Sequence, residues 1–199
     1  MLFRSSQKAV SAPPGLTFVV VSDDAKEKMK NRKTPIASFY ANLMAFDGYY
    51  EKKWFPYTMP ISDIYGLRAA FNLIAGDKTL YERHARIGSA TRAAVKEAGL
   101  KLHLQSGYSN TVTVFDIPEC TDAKSILDEM RTKYNIMLAG SFDELSGKVI
   151  RIGHMGENAR LEHMVPALEA LSATLTDLGV TLQGNLADLF LKHYREFQD

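Results

Sequence analysis

Cysteine is nearly absent from this chain. Cys120 is the only one in 199 residues, so no internal disulfide can form and no cysteine-based metal site can be built. A reducing compartment is the default that follows. Five histidines occur, but His84, His103, His154, His163 and His193 show no metal-ligand spacing and read as ordinary polar or helix-face residues. Charge of one sign is also lacking. The formal net charge is +1 and no run of like charges reaches five, which argues against nucleic acid as the main partner. No apolar stretch approaches the length of a membrane span, and the opening Met1-Leu2-Phe3-Arg4 is too short for a signal peptide. Cytoplasm is the expected location. Low-complexity tracts and internal repeats are absent as well.

What is present is a folded chain: 46% of residues are apolar, enough for a buried core, so disorder is excluded. Leu16-Thr17-Phe18-Val19-Val20-Val21 is a continuous β-branched and aromatic run. It predicts a strand buried on both faces, as in a parallel sheet. Ser22 caps a following helix with a solvated, lysine-rich face. Ser38 to Tyr50 is a second helix candidate, with Phe39, Leu43 and Phe46 at helical spacing. Trp54-Phe55-Pro56-Tyr57-Thr58-Met59-Pro60 is a loop, because two prolines bar a helix. Its aromatics predict a covered loop at a subunit interface or pocket.

Asp63 opens a helix striped by Ile64, Leu67, Phe71 and Ile74, and Asp77 a longer one to Ala98, stopped by Gly99. Beyond it, Leu102 and Leu104 alternate as one strand and Val112 and Val114 as another. Asp122 caps a helix carrying Ile126, Leu127, Met130 and Tyr134. Gly147 to His154 is a strand. Ala159 to Leu178 is an amphipathic helix ended by Gly179, and a last helix candidate carries Leu182, Leu186, Leu189, Phe190 and Phe197. The domain boundary is placed near Gly99: residues 1–99 as part of an α/β layer with connecting helices, residues 100–199 as a compact α+β unit.

Three stretches matter together, each weak alone. One is Ser6-Gln7-Lys8 with Ala12-Pro13-Pro14-Gly15. Another is Tyr57-Thr58-Met59-Pro60-Ile61-Ser62 followed by Ile64-Tyr65-Gly66-Leu67-Arg68. The third is Gly147-Lys148-Val149-Ile150-Arg151-Ile152-Gly153-His154-Met155-Gly156. A lone lysine is ordinarily a solvated surface residue, and a lone strand arginine more often a structural ion pair. Strand alternation nevertheless sets Arg151 on the face opposite Ile150 and Ile152. A planar guanidinium there suits a carboxylate bidentately.

Together, in this order, the three stretches resemble the class V pyridoxal-phosphate (PLP) aminotransferases, nearest to the alanine–glyoxylate and serine–pyruvate branch. The resemblance runs from about Ser5 to about Gly179. It implies the C-terminal part of the aspartate aminotransferase-like fold: the end of the large α/β domain and a complete α+β small domain. It implies PLP as cofactor, with Lys8 as the Schiff-base lysine that also moves the proton between the substrate Cα and the cofactor. Gln7 matches a residue contacting the cofactor phosphate. Thr58 matches one reaching the phosphate of a neighbouring subunit's cofactor. Arg151 matches the arginine that binds the substrate α-carboxylate. Substrates would be a small amino acid (alanine or serine) and a 2-oxo acid (glyoxylate or pyruvate). The expected assembly is a homodimer or a complex with a separate N-terminal half.

Several features depart from the family pattern or compete with it. The family tyrosine three positions before the threonine is Phe55 here, and the sequence leaves open whether Tyr57 replaces it. The family's glycine-rich phosphate turn, ring-stacking aromatic and ring aspartate lie upstream of the lysine. Only seven residues precede Lys8 and no aspartate occurs before Asp23. The isolated chain is therefore expected to lack appreciable turnover, with a non-catalytic remnant or interaction module as the alternative. Ser5-x-x-Lys8 also fits the S-x-x-K of penicillin-binding proteins, with Tyr108-Ser109-Asn110 as a second element. That serine must open a long helix, which Pro13-Pro14-Gly15 forbids. Gly76-Asp77-Lys78-Thr79 lacks the upstream glycine of a P-loop. Cys120 does not match the reactive cysteine of the related desulfurases, whose lysine usually follows a histidine.

Overall fold

The computed structural model describes residues 2–197. It divides into two compact units, one ending at Gly76 and the other beginning at Asp77. The division falls before the expected Gly99 because the long third helix belongs with the second unit.

In the first unit, β1 (Leu2–Ser5) pairs antiparallel with β2 (Thr17–Val20), in the register Leu2 to Val20 and Ser5 to Thr17. This corrects the expectation of a parallel strand buried on both faces. Thr17 and Val20 are exposed and Phe18 and Val19 only half-buried, since the described residues add no third strand to this ribbon. Helix α1 (Asp23–Lys30) is capped by the Ser22 hydroxyl, which accepts from the Ala25 amide. The helix expected over Ser38–Tyr50 shrinks to one 3₁₀ turn, Leu43–Phe46. There the Asn42 side chain caps the Met44 amide, and the Tyr57 hydroxyl lies 3.0 Å from the Phe39 carbonyl and 3.2 Å from that of Tyr40. A side chain that holds carbonyls in this way competes with helical pairing. The aromatic loop is as anticipated a loop, but Trp54 stays exposed on this chain. Helix α2 (Ile61–Gly76) closes the unit. Gly66 lets α2 approach the Pro-Pro-Gly turn: a Cβ there would lie 2.9 Å from the Pro13 Cγ.

The second unit holds the main core. Helix α3 (Leu80–Glu97) opens after Asp77, whose carboxylate accepts from the amide and hydroxyl of Thr79. It turns Ile87, Thr91, Ala94 and Val95 inward, the three- and four-residue spacing of a packed helix face. Strand β3 (Val112–Asp116) pairs antiparallel with β4 (Val149–Gly153), with Val114 opposite Arg151. Among the described residues only single bridges extend this ribbon, Leu102 to Phe115 on one edge and Ala139 to Arg151 on the other. The expected Leu102–Leu104 strand is thus reduced to one bridge. Helices α4 (Ala123–Tyr134), α5 (Leu161–Asp177) and α6 (Leu186–Glu196) complete the unit. Phe115, Ile150, Ile126, Met130, Leu168, Leu171, Leu175 and Phe190 are fully buried and join sheet and helices in one core. Gly179, at φ +86°, takes the left-handed conformation that stops α5.

Candidate active site

Lys8 sits in the turn that leaves β1. Ser5 ends the strand, and Ser6 folds inward and is fully buried. Its hydroxyl donates to the Pro13 carbonyl at 2.6 Å, its amide donates to the Leu16 carbonyl, and its own carbonyl accepts from Ala12. The Ser11 amide closes the turn onto the Lys8 carbonyl at 2.8 Å. Four hydrogen bonds therefore fix the backbone on either side of Gln7 and Lys8, while both of those side chains remain exposed. Among the described residues the Lys8 ammonium forms no ion pair. A cofactor-binding amine needs this combination of an ordered backbone and an unengaged nitrogen.

Thr58 lies on the exposed loop before α2. Its neighbour Tyr57 directs its hydroxyl to the Phe39 and Tyr40 carbonyls, at 3.0 and 3.2 Å. The Tyr57 ring packs against Tyr40, Phe39, Phe46 and Phe55 at centroid distances of 5.0–6.3 Å, making it a structural post of the loop. Gln7, Lys8 and Thr58 thus share the first unit, the first two on one turn.

Arg151 belongs to the second unit, at the centre of β4. As the alternation anticipates, Ile150 and Ile152 enter the core while Arg151 turns to the other face and is half-buried. Its backbone bonds both ways with Ala139. Its side-chain Nε–H donates to the Gly140 carbonyl, and its guanidinium carbon stands 5.7 Å from the centre of the Phe142 ring. Among the described residues no carboxylate pairs with it. The structural ion pair that would make this arginine bland is therefore not what the fold provides.

Two buried histidines went unread as such in the sequence. His154 follows β4 and is fully buried, with Nε2 2.8 Å from the Thr113 hydroxyl and Nδ1 3.1 Å from the Asn110 carbonyl. Burial pushes its imidazole down to about 4, with Arg92 and His84 adding repulsion, so it is neutral at pH 7. His84 on α3 accepts the Gly156 amide at 3.0 Å on Nε2, while Nδ1 contacts the Leu80 carbonyl. These rings fix the chain at the exit of the Arg151 strand. Their only sequence signal was the position of His154 at the end of an apolar strand.

No family model matches the chain. Individual proteins do. It is 36% identical over 178 residues to an uncharacterized aminotransferase of Methanocaldococcus jannaschii, an overlap covering 87% of this chain and 46% of the relative. It is also 36% identical over 198 residues to the serine–glyoxylate aminotransferase of Arabidopsis thaliana, covering 95% and 49% respectively. Among solved structures, the ureidoglycine–glyoxylate aminotransferase of Bacillus subtilis superposes with a TM-score of 0.89 at 29% identity, over 97% of this chain and 51% of that one. The chain spans about half the length of these relatives. Over that span its relatives are class V aminotransferases, and the chain matches a C-terminal half of the pyridoxal-phosphate-dependent aminotransferase fold.

Proposed function

We propose that the chain contributes the cofactor-linking lysine and the carboxylate-binding arginine of a transaminase that exchanges an amino group between alanine or serine and glyoxylate or pyruvate. The observation that carries this reading is the turn around Lys8, ordered by buried Ser6 yet presenting an unpaired amine. The residues present fit PLP in part. Lys8 offers the amine and Gln7 and Thr58 offer exposed hydrogen-bonding groups of the kind that suit a phosphate. PLP supplies an electron sink for the charge that develops as a proton leaves the substrate Cα. In this assignment Lys8 takes and returns that proton. Arg151 holds the substrate carboxylate through its two terminal nitrogens, its Nε being engaged by Gly140.

We assign no appreciable turnover to the 199 residues alone. These residues span about half the length of the relatives they match, and a loosely held cofactor forfeits positioning worth roughly 7–11 kcal/mol when fully realised. The same feature favours the second reading, a non-catalytic module. Activity would then need a second copy or a separate N-terminal half. The exposed Phe39, Tyr40, Trp54, Tyr65 and Leu73 of the first unit support such association. Among the described residues no helix is long and apolar enough to cross a membrane. With the single cysteine exposed and unpaired, a cytoplasmic location is the consistent one.

The test is PLP titration followed by borohydride reduction and peptide mass mapping. The expected result is a phosphopyridoxyl mass on Lys8, lost in Lys8→Ala. Labelling spread over surface lysines would favour the non-catalytic module. Alanine-to-glyoxylate turnover is then measured with and without an N-terminal half. Robust turnover by the chain alone would overturn the expectation of inactivity.

A further inference from the structure

Arg151 is the one residue of the proposed site whose surroundings within its own unit are fully built, and they contain two groups with no role so far. They lie on the connection between Ala139 and β4. The Gly140 carbonyl receives the Arg151 Nε–H, and the Phe142 ring lies against the guanidinium, 5.7 Å from ring centre to central carbon. Phe142 is 76% exposed, so its ring is not there to fill a core. The backbone around it is specific. Asp143 has φ +50°, an uncommon conformation for a residue with a Cβ, and opens a 3₁₀ turn over Asp143–Leu145. The Leu145 amide bonds back to the Phe142 carbonyl at 3.1 Å, and Ser146 to Asp143 at 3.0 Å. The turn thus fixes the backbone that carries the ring.

We propose that Phe142 is a positioning and affinity-determining residue for the substrate carboxylate, acting through Arg151. This rests on the reading of Arg151 as the carboxylate clamp. An arginine side chain has many rotamers, and a ligand that needs one of them binds more weakly by the fraction of time it is occupied. Two restraints select the rotamer here. The Gly140 carbonyl holds Nε, the inner nitrogen, and leaves the two terminal nitrogens as a parallel fork. The Phe142 ring face attracts the guanidinium without offering it a hydrogen-bond acceptor. A carboxylate in Phe142's place would neutralise the fork, whereas a ring holds it and keeps it free for an anion.

Three substitutions of Phe142 separate these effects: Phe142→Tyr keeps the ring, Phe142→Leu keeps apolar bulk alone, and Phe142→Ala removes both. The side chain's exposure means that none should compromise folding, which circular dichroism verifies. The first readout needs no ligand: the Arg151 Nε–H signal of the ¹⁵N-labelled full chain, identified by its loss in Arg151→Gln. It should be shifted by the ring and slow to exchange in the wild type and Phe142→Tyr. In Phe142→Leu and Phe142→Ala it should move toward the free-arginine position and exchange faster. The second readout is pyruvate titration of the same signal. Affinity should fall about 2- to 5-fold in Phe142→Leu and Phe142→Ala, the worth of one exposed cation–aromatic contact, and be retained in Phe142→Tyr.

An unchanged Nε–H signal in Phe142→Ala overturns the proposal, as does wild-type affinity in Phe142→Leu. A wild-type signal that responds to the Phe142 variants but not to pyruvate removes the carboxylate role of Arg151 instead. The ring's hold on Arg151 would then stand without a substrate function, so the two failures are distinguishable.

Discussion

The two units of this protein are ordered by different means. From Asp77 onward, sheet and helices share fully buried side chains such as Phe115, Ile150, Leu171 and Phe190. Among the described residues up to Gly76, the buried apolar side chains are Ala12 and Ala70, while Phe3, Phe39, Tyr40, Trp54, Tyr65 and Leu73 lie open. Order there comes from hydrogen-bonded turns and ring-to-ring contacts instead. Lys8 sits in the unit without a core of its own, Arg151 in the unit that has one. The amine therefore depends on local polar restraint, and the arginine on a strand that packing holds in place.

Core truncation is the most forceful way to break this contrast. Phe115→Ala deletes a fully buried ring that β3 contributes to the core and should cost about 3–5 kcal/mol. Phe71→Ala removes a ring that is 43% exposed and touches Phe18 at 5.5 Å, at a cost of about 1 kcal/mol. Urea unfolding followed by peptide-resolved hydrogen exchange measures each unit separately. Equal costs would mean that the first unit is packed more firmly than its exposed side chains indicate.

The next largest effect is set by acid. Folded His154 titrates at about 4 and an unfolded histidine at its ordinary 6.5. As pH falls, the unfolded chain therefore takes up this proton first, and folding is disfavoured. The stability His154 contributes is fully present above about pH 6.5. It should fall by about 3 kcal/mol as pH approaches 4, and only in the second unit. His154→Gln should flatten that slope. The facing charged and titratable groups are Arg92 and His84, both on α3. A His154→Gln protein with the wild-type slope would assign the acid sensitivity elsewhere.

The same contrast explains what the sequence made legible. In the second unit, the Leu102–Leu104 strand apart, periodicity and caps were sufficient: Asp122 starts α4, Gly179 ends α5, and alternation along β4 sets Arg151 apart from Ile150 and Ile152. Local pattern matches outcome there because a core enforces it. In the first unit the run from Leu16 to Val21 looks like a buried strand, since apolar runs report side-chain character and not the neighbours that cover them. Phe39, Leu43 and Phe46 have helical spacing, yet the Asn42 cap and the Tyr57 hydroxyl hold that segment in a turn. Lys8 was visible only through resemblance, because one lysine after a serine and a glutamine carries no local signal. The Gly140 and Phe142 contacts to Arg151 join residues on separate segments, which no one-dimensional pattern displays.

A smaller perturbation sharpens the first half of the contrast. Ser6→Ala removes the one fully buried hydroxyl of the Lys8 turn and leaves the Pro13 carbonyl without its partner, a loss of about 1–2 kcal/mol. The loss should appear locally, as faster exchange of the Ser6 and Ala12 amides, with no change in protection across α5. Slower exchange at those amides, or loosening of α5, would contradict local polar restraint as the source of order around Lys8.

The least disruptive comparison sets one helix cap against another. Asp122 accepts the Ser125 amide at 3.0 Å and its hydroxyl at 2.6 Å, at the start of a helix that buries Ile126 and Met130. Asp122→Ala should cost about 1 kcal/mol, and the second unit should feel it as a whole because α4 cannot loosen without exposing those side chains. Ser22 makes the equivalent contact with Ala25 at 3.3 Å, but α1 buries no residue. Asp23 and Asp24 remain in its first turn and Lys28 and Lys30 in its last, so the charges that complement the helix dipole survive the substitution. Ser22→Ala should therefore cost about 0.5 kcal/mol or less, appear only as fraying of the first turn of α1, and leave the urea midpoint unmoved. A global shift from Ser22→Ala equal to that from Asp122→Ala would show that α1 is coupled to buried structure, and the division between a packed unit and a locally restrained one would fail at its weakest element.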